Sequence, residues 1–246
     1  MNSSIHYELQ KLRLSGMASE YKRQSLDTKL QSSSFENRLA LLIEAEHTFK
    51  NNRRIASLFS RAKLRYSQAS LEDVVYKPDR CLDRLLINQL ASSDWIRQGH
   101  SVILTGSTGT GKSWLSCALA AQACRGGLSA FYTTATSLFD NIRLSMMDHS
   151  IVKFKRTVCK QSLLIIDDLG MGGIPDDLAH ILLEVLDQQS ISGAVIITSQ
   201  FPHTSWHELF SDTTIADAVI DRLIHRAYVI KLEGESMRKA SANRKK

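Results

Sequence analysis

The spacing of apolar positions along the chain changes near residue 100. Before it, apolar residues recur every three or four positions, and glycine occurs only at Gly16 and Gly99. This spacing is typical of amphipathic helices, which we predict at about 4–24, 34–50 and 51–66. The N-terminal part is therefore predicted to be an all-helical module, residues 1–70, which joins a second domain, residues 71–246, near residues 67–80.

After residue 100, short apolar runs alternate with amphipathic stretches. Five strands are predicted, at 101–105, 129–133, 162–167, 194–199 and 228–232. Four helices are predicted between them, at about 112–125, 136–147, 177–190 and 214–226. Strands that are apolar throughout and separated by helices indicate a parallel sheet covered on both faces. The fold class is therefore predicted to be α/β, with a helical module in front.

Composition sets limits on the class of protein. Hydrophobic residues make up 43% of the 246 residues and charged residues 23%, as in ordinary globular domains. No apolar run approaches the roughly 20 residues of a membrane helix, and the N-terminus does not resemble a secretory signal. The four cysteines form no CxxC pair, so neither a disulfide framework nor a zinc site is indicated. We expect a cytoplasmic protein that makes no membrane contact.

Positive charge is concentrated at the two ends of the chain. The net charge of +6 divides into +5 for residues 1–99, −3 for 100–230 and +4 for 231–246. The stretch from His47 to Ser70 contains no acidic residue. Its basic side chains are the predicted DNA-binding set: Lys50, Arg53, Arg54, Arg61, Lys63 and Arg65. Such a cluster fits a polyanionic partner, although a solvated helix face would have the same composition.

The segment 106–113 reads GSTGTGKS, which matches the phosphate-binding pattern GxxxxGK[ST]. It follows a predicted strand and opens a predicted helix, as that loop requires. We expect Lys112 to reach the β- and γ-phosphates of a nucleotide and Ser113 to bind Mg²⁺. The predicted nucleotide-binding residues are Gly106, Thr108, Gly109, Thr110, Gly111, Lys112, Ser113, Trp114 and Arg238.

Two adjacent carboxylates, Asp167 and Asp168, end the strand predicted at 162–167. In a P-loop domain the first is expected to hold Mg²⁺ through water, and the second to polarise the water that attacks the γ-phosphate. An aspartate is one methylene shorter than the glutamate of many ring ATPases, so slower hydrolysis is expected. The alternative is a pair of turn-capping aspartates.

Two further sets of residues are weaker candidates for a role in ATP hydrolysis. Ser199 and Gln200, at the end of the strand predicted at 194–199, have side chains suited to sensing a γ-phosphate. Arg222 and Arg226 lie four residues apart on a predicted helix and so share a face. An arginine there could stabilise phosphoryl transfer on a neighbouring subunit, or simply form a surface ion pair.

The motifs GSTGTGKSWLSCALA, LLIIDDLG, IITSQFP and DAVIDRLIHR occur in this order. Together with the N-terminal segments LQKLRLSGMASEY and LLIEAEHTFKNNRRIASLFSRAKLR, they resemble the IstB family of ATP-dependent transposition helper proteins. That family is similar to the DnaC helicase loaders and to DnaA, and the resemblance covers about residues 5–240. It implies an AAA+ fold with strand order 5-1-4-3-2, which uses ATP and Mg²⁺.

The resemblance also implies roles and partners. Ser199 or Gln200 would be the first sensor of the nucleotide, Arg226 or Arg222 the arginine finger, and Arg238 the second sensor. A bacterial protein of this kind forms a homo-oligomer on double-stranded DNA, bends it, and recruits and stimulates a partner transposase. Three alternatives remain: a DnaC-like helicase loader acting on single strands, a nucleotide-gated binding module with negligible turnover, and a small-molecule P-loop kinase, which fits poorly.

Overall fold

A computed structural model describes residues 2–237, except the side chains at positions 2, 3, 29 and 31. The chain divides into two compact units, Met1–Ser57 and Leu58–Lys246. This division falls 13 residues before the boundary predicted at 70/71. The reason is packing: Leu58, Ala62 and Ala69 are buried in one hydrophobic cluster with residues of the sheet. Residues 58–70 therefore belong to the second unit.

The first unit is helical, as expected, but its helices are divided differently. They are α1 (Asn2–Lys11), α2 (Ser15–Leu26), α3 (Thr28–Gln31) and most of α4 (Phe35–Ala62). The helix predicted at 4–24 is interrupted at residues 12–14, where Arg13 has a positive φ of 58°. The helices predicted at 34–50 and 51–66 are one helix of 28 residues. Its sequence contains no proline or glycine, so nothing in the backbone interrupts it.

Glu46 connects α4 to the start of α2. Its side chain is buried, and Oε2 accepts a hydrogen bond of 3.0 Å from the backbone amide of Met17. The Oε1 atom lies 3.3 Å from Nζ of Lys50. Burial by itself would raise the pKa of Glu46, but the amide of Met17 and the ammonium of Lys50 lower it below its usual value. Glu46 therefore supplies an acceptor that the first turn of α2 lacks within its own helix.

The second unit contains a five-stranded sheet in the part of the chain that the structure describes. Its strands are β1 (Ser101–Thr105), β2 (Ala130–Thr134), β3 (Leu163–Leu169), β4 (Ala194–Ser199) and β5 (Ala227–Lys231). Their order is β2-β3-β4-β1-β5, and every pair is parallel. This arrangement confirms the predicted sheet and the implied order 5-1-4-3-2.

Helices cover both faces of the sheet. They are α5 (Arg84–Ala91), α6 (Asp94–Arg97), α7 (Lys112–Arg125), α8 (Ala135–Met147), α9 (Ile151–Cys159), α10 (Asp176–Ser192) and α11 (Thr213–Ile224). One buried cluster joins α5, α6 and α7 to the face that carries Val102 and Leu104. The other joins α8 to α11 to the face that carries Ile103. Side chains alternate between the faces of a strand, so β1 is buried on both sides.

Three helices of this unit, α5, α6 and α9, were not predicted. They are short, with 8, 4 and 9 residues, and so give little periodic signal. Cys81 is exposed, and Cys117, Cys124 and Cys159 are buried, each as a free thiol. Within residues 2–237 no helix is both long and apolar enough to cross a membrane.

Candidate nucleotide-binding site

A cleft of about 580 Å³ lies over the carboxyl ends of β1, β3 and β4. The predicted nucleotide and catalytic residues that line it are Thr108, Gly109, Gly111, Lys112, Ser113, Trp114, Asp168 and Gln200. These residues come from segments far apart in the sequence. The parallel sheet brings the segments together because the carboxyl ends of its strands meet at one edge.

The loop between β1 and α7 has the conformation that a phosphate site needs. Gly111 adopts a φ of 99° directly before the first residue of α7. It has no side chain to cap the helix, so the first amides of α7 remain available to an anion. Nζ of Lys112 donates to the carbonyl oxygens of Gly106 at 2.7 Å and Ser107 at 3.0 Å. The ammonium is thus held inside the loop.

The segment 232–237 packs directly over this loop. The amide of Met237 donates to the carbonyl of Gly109 at 2.9 Å. A β-carbon at Gly106 would lie 2.1 Å from the carbonyl oxygen of Leu232, and one at Gly109 would lie 2.3 Å from Oγ of Ser236. Both positions therefore require glycine. Met237 lines the cleft, whereas Arg238, predicted as the second sensor, lies outside the described residues together with the rest of the basic C-terminal segment.

Asp167 and Asp168 occupy different environments although they are adjacent. The register between β3 and β4 shifts between Ile166 and Leu169, which is a local bulge. Asp168 has a positive φ of 59°, uncommon for a residue with a side chain, and faces the cleft. Asp167 is completely buried. The bulge therefore separates the two carboxylates, one into the sheet edge and the other toward the nucleotide.

Both oxygens of Asp167 accept hydrogen bonds from hydroxyl groups. Oγ1 of Thr198 on β4 donates to Oδ1, and the phenol of Tyr132 on β2 donates to Oδ2, each at 2.5 Å. Thr198 Oγ1 also accepts from the amide of Asp168 at 2.9 Å. Burial and the hydrogen bond to Asp167 raise the pKa of Tyr132, so the phenol stays protonated and continues to donate. Sequence reasoning missed the role of Tyr132, because nothing near residue 132 resembles a motif.

The structure distinguishes between the two predicted γ-phosphate sensors. Ser199 is fully buried, and its hydroxyl donates to the carbonyl of Leu169 at 2.8 Å. Ser199 does not line the cleft, and its role as a sensor stays a prediction. Gln200 does line the cleft, and its Oε1 accepts from the hydroxyl of Thr108 at 2.8 Å. Gln200 is thus the predicted sensor residue that faces the phosphate loop.

Neither candidate arginine finger lines the cleft of its own chain. Nε of Arg222 lies 2.5 Å from Oδ1 of Asp187 on α10. The hydrogen bond to Asp187 and its charge raise the pKa of Arg222. Arg226 follows the end of α11, and its side chain is exposed. Both positions are compatible with an arginine that acts on the nucleotide site of a neighbouring subunit. To act on the site of its own chain, either side chain would have to move into the cleft.

Arg80 is a residue of the cleft that the sequence motifs did not indicate. It is buried, with 6% of its surface exposed, and it lines the cleft beside Gly111. Its guanidinium donates to the carbonyls of Val75 at 2.7 Å and Thr110 at 2.9 Å. Burial lowers the pKa of Arg80, but a guanidinium remains charged at neutral pH. Arg80 therefore ties the segment before α5 to the phosphate loop.

The predicted DNA-binding set divides into three environments. Arg53, Arg54 and Arg61 are exposed on α4, while Lys50 is exposed but paired with Glu46. Nζ of Lys63 lies 6.0 Å from the ring centroid of Phe131. The remaining member, Arg65, lines the nucleotide cleft instead. Its NH1 atom lies 3.9 Å from the Asp167 carboxylate, and the contact of Arg65 with DNA stays a prediction.

Comparison with known proteins identifies the family of this chain. The model of a family described as IstB-like ATP binding protein matches residues 7–245. A putative insertion sequence ATP-binding protein of Sinorhizobium fredii is 38% identical over 232 residues, which cover 94% of each chain. The putative ATP-binding protein of insertion sequence IS1162 from Pseudomonas fluorescens is 41% identical over 198 residues, or 80% of this chain and 86% of the relative.

Solved structures show the same fold. The DnaC helicase loader superposes with a TM-score of 0.54 at 18% identity, over 69% of this chain and 99% of the loader. AMPPCP-bound DnaA from Aquifex aeolicus superposes with a TM-score of 0.59 at 16% identity, over 72% of this chain and 55% of DnaA. At these identities the likeness concerns the AAA+ fold alone. From the family match and the motifs in the cleft, the chain belongs to the IstB-like ATP-binding proteins and is an ATPase of the AAA+ class.

Proposed function

We propose that this protein is the ATP-dependent helper of an insertion sequence. It binds ATP with Mg²⁺, assembles with further copies of itself on double-stranded DNA, and recruits and stimulates a partner transposase. The observation that carries the proposal is a cleft lined by the phosphate loop and Asp168, in a chain whose relatives, at 38% and 41% identity, are named putative insertion sequence ATP-binding proteins. The exposed arginines of α4 support the part that concerns DNA.

The residues of the cleft fit ATP and Mg²⁺. The loop at Gly106 and Gly109 has no room for side chains, and Lys112 already holds its ammonium among oxygen atoms. Ser113 offers a hydroxyl in the same cleft, and Asp167, which is fully buried and already accepts two hydrogen bonds, would hold Mg²⁺ only through water. Mg²⁺ favours such oxygen donors, and when bound it would neutralise phosphate charge. Lys112 would then exchange backbone carbonyls for the β- and γ-phosphates.

Asp168 is proposed to act on the water that attacks the γ-phosphate. Its carboxylate faces the cleft because of the bulge and its positive φ. Strained backbone of this kind persists where the surrounding structure holds it, and it is common at functional sites. Here the amide of Asp168 is held by Thr198. Gln200 is proposed to respond to the presence of the γ-phosphate, and its hydrogen bond from Thr108 of the phosphate loop supports this role.

Assembly would complete the site with an arginine from a neighbouring subunit. We expect Arg226→Ala to lower ATP turnover by about 10²-fold while ATP binding stays unchanged, because Arg226 lies outside its own cleft. The measurement is turnover of R226A mixed with the Asp168→Asn variant. Each D168N subunit retains Arg226, and each R226A subunit retains Asp168, so the mixture should recover turnover.

Two results would contradict this role for Arg226. Normal turnover by R226A would exclude it, and loss of turnover only in Arg222→Ala would transfer the role to Arg222. The second result would require Arg222 to leave Asp187, its partner at 2.5 Å. Recovery in the mixture distinguishes action between subunits from a defect within one chain.

DNA binding is proposed to use the exposed arginines of α4. Contacts between cations and phosphates release counterions, so each one steepens the dependence of binding on salt. We expect Arg53→Gln with Arg54→Gln to weaken duplex binding and to reduce the salt slope by about 2. The measurement is duplex affinity across several salt concentrations, with ATP present.

A matched control for that variant is Lys153→Gln with Arg156→Gln. Both residues are exposed on α9, and the two substitutions remove the same total charge as R53Q with R54Q. A slope that changes equally in both variants would mean that net charge, rather than the α4 surface, determines binding.

Comparison of duplex and single-stranded DNA with ATP, ADP and no nucleotide tests the whole proposal. ATP-dependent preference for duplex with a larger particle size supports it, whereas preference for single strands would favour a helicase loader.

A further inference from the structure

Arg65 occupies an unexpected place in the nucleotide cleft. It is the third residue after the end of α4, in an acid-free basic stretch, and yet its guanidinium NH1 lies 3.9 Å from Oδ2 of Asp167. The Asp167 side chain is 0% exposed, whereas the Arg65 side chain is 45% exposed. A half-exposed cation thus stands next to a buried carboxylate, which is the same carboxylate proposed to hold Mg²⁺.

The other partners of Asp167 do not neutralise its charge. The hydroxyl groups of Thr198 and Tyr132 satisfy its two oxygens as neutral donors. A buried carboxylate is costly unless a cation lies close to it. Arg65 supplies that cation from the solvent side. The Tyr132 phenol and, by a smaller contribution, the Asp167 carboxylate raise the pKa of Arg65, so the guanidinium stays charged.

Mg²⁺ and the Arg65 guanidinium cannot both lie against Asp167 without repelling each other. Thr198 and Tyr132 carry no charge and can keep their hydrogen bonds. Arg65 is the partner with freedom to move, since nearly half of its side chain is exposed. Its guanidinium carbon also lies 5.7 Å from the ring centroid of Tyr66, a contact that does not depend on Asp167.

We propose that Arg65 is a positioning residue that neutralises Asp167 while no Mg²⁺ is bound, and that it gives up this contact when Mg²⁺ and ATP enter the cleft. The inference rests on the proposed function, since it concerns the same ATP site. Because Arg65 closely follows α4, its release changes the backbone of segment 63–66, which lies within the second unit directly after this helix. Occupancy of the site thereby alters the backbone at the edge of the cleft, where Arg65 and Tyr66 line it.

The test uses the full chain and compares Arg65→Gln and Arg65→Lys with wild type. A surface control, Arg97→Gln, removes an exposed ion pair with Asp94. Binding of AMPPCP is measured during titration with Mg²⁺ and again in EDTA. We expect R65Q to need about tenfold less Mg²⁺ for half-maximal binding, because a competing cation is gone. R65K retains the cation, so its titration should lie close to wild type, as should that of R97Q.

A second measurement follows the backbone rather than nucleotide affinity. Hydrogen exchange of amides 63–66 should increase on adding Mg²⁺ and AMPPCP to the wild-type chain. In R65Q it should be high from the start and change little. The exchange of these amides in the wild-type chain would not respond to Mg²⁺ and AMPPCP if Arg65 served only to stabilise the fold.

Each contrary outcome has a separate meaning. If wild type binds AMPPCP normally and R65Q shows an unaltered Mg²⁺ titration, the inference about Arg65 fails while the ATP site stands. Weaker binding of R65Q in EDTA would also overturn it, since Arg65 would then contact the nucleotide directly. If wild type fails to bind AMPPCP at all, the proposed function fails, and this inference fails with it.

Discussion

Replacement of Lys112 by alanine is expected to weaken ATP binding by about 10²-fold or more and to abolish any ATP-dependent assembly. Lys112 is buried, with 5% of its surface exposed, and its ammonium donates to two carbonyls inside the phosphate loop. With nucleotide bound, the same group would make charge-assisted hydrogen bonds to phosphate oxygens. Two such bonds are worth about 3–6 kcal/mol, and each 1.4 kcal/mol corresponds to about a tenfold change in affinity.

The measurement is equilibrium binding of AMPPCP, with the melting temperature as a check on folding. The control is Lys155→Ala, since Lys155 forms a 2.5 Å ion pair with Glu184 between α9 and α10, outside the cleft. K155A should bind AMPPCP as wild type does. Near-normal affinity of a folded K112A chain would mean that the loop does not hold the nucleotide in the proposed way.

The Asp168→Asn variant is expected to bind ATP normally but to hydrolyse it on the order of 10³-fold more slowly. General base assistance contributes about 10²–10⁴-fold to such reactions, and the amide of asparagine cannot supply it. Asparagine also tolerates a positive φ better than most residues. The backbone at position 168, with φ 59°, and its hydrogen bond to Thr198 should therefore persist. Loss of turnover with retained binding is the expected signature.

Phosphate release and AMPPCP binding measure the two effects separately. A suitable control is Asp140→Asn on the exposed side of α8, which makes the same chemical change outside the cleft. Turnover of D168N equal to that of wild type would exclude Asp168 as the residue that activates water. Loss of binding as well as turnover would instead indicate that the bulge at positions 167–168 had collapsed.

Local patterns predicted the parts of the site whose chemistry is contiguous in sequence. Lys112 and Ser113 are recognisable because the phosphate loop needs glycines, a lysine and a hydroxyl at set positions between a strand and a helix. Asp167 and Asp168 are recognisable because two carboxylates end an apolar strand. Periodicity predicted the helices α7, α8, α10 and α11, since each is at least 12 residues long. Periodicity did not predict shorter helices such as α6, which has 4 residues.

Residues that act through distant contacts could not be found in this way. Tyr132 reaches Asp167 across 35 positions of sequence, and Arg80 reaches Thr110 across 30 positions. Arg65 was grouped with the basic residues around it because its neighbours in sequence are basic. Its partner in space is an acid 102 positions away. Ser199 and Gln200 are adjacent in sequence, but only the geometry of the strand end shows that one is buried and the other faces the cleft.

The sequence by itself therefore determined the α/β class, the parallel sheet, the phosphate loop and the carboxylate pair, since each depends on residues within a few positions of one another. The tertiary structure decided where within α4 the first unit ends, that Gln200 rather than Ser199 lines the cleft, and that Arg65 lies beside Asp167. These outcomes depend on packing between segments that are distant along the chain, such as the burial of Leu58 and Ala62 against the sheet. Local periodicity carries no information about such contacts, because it records only which face of an element is apolar and not what that face meets.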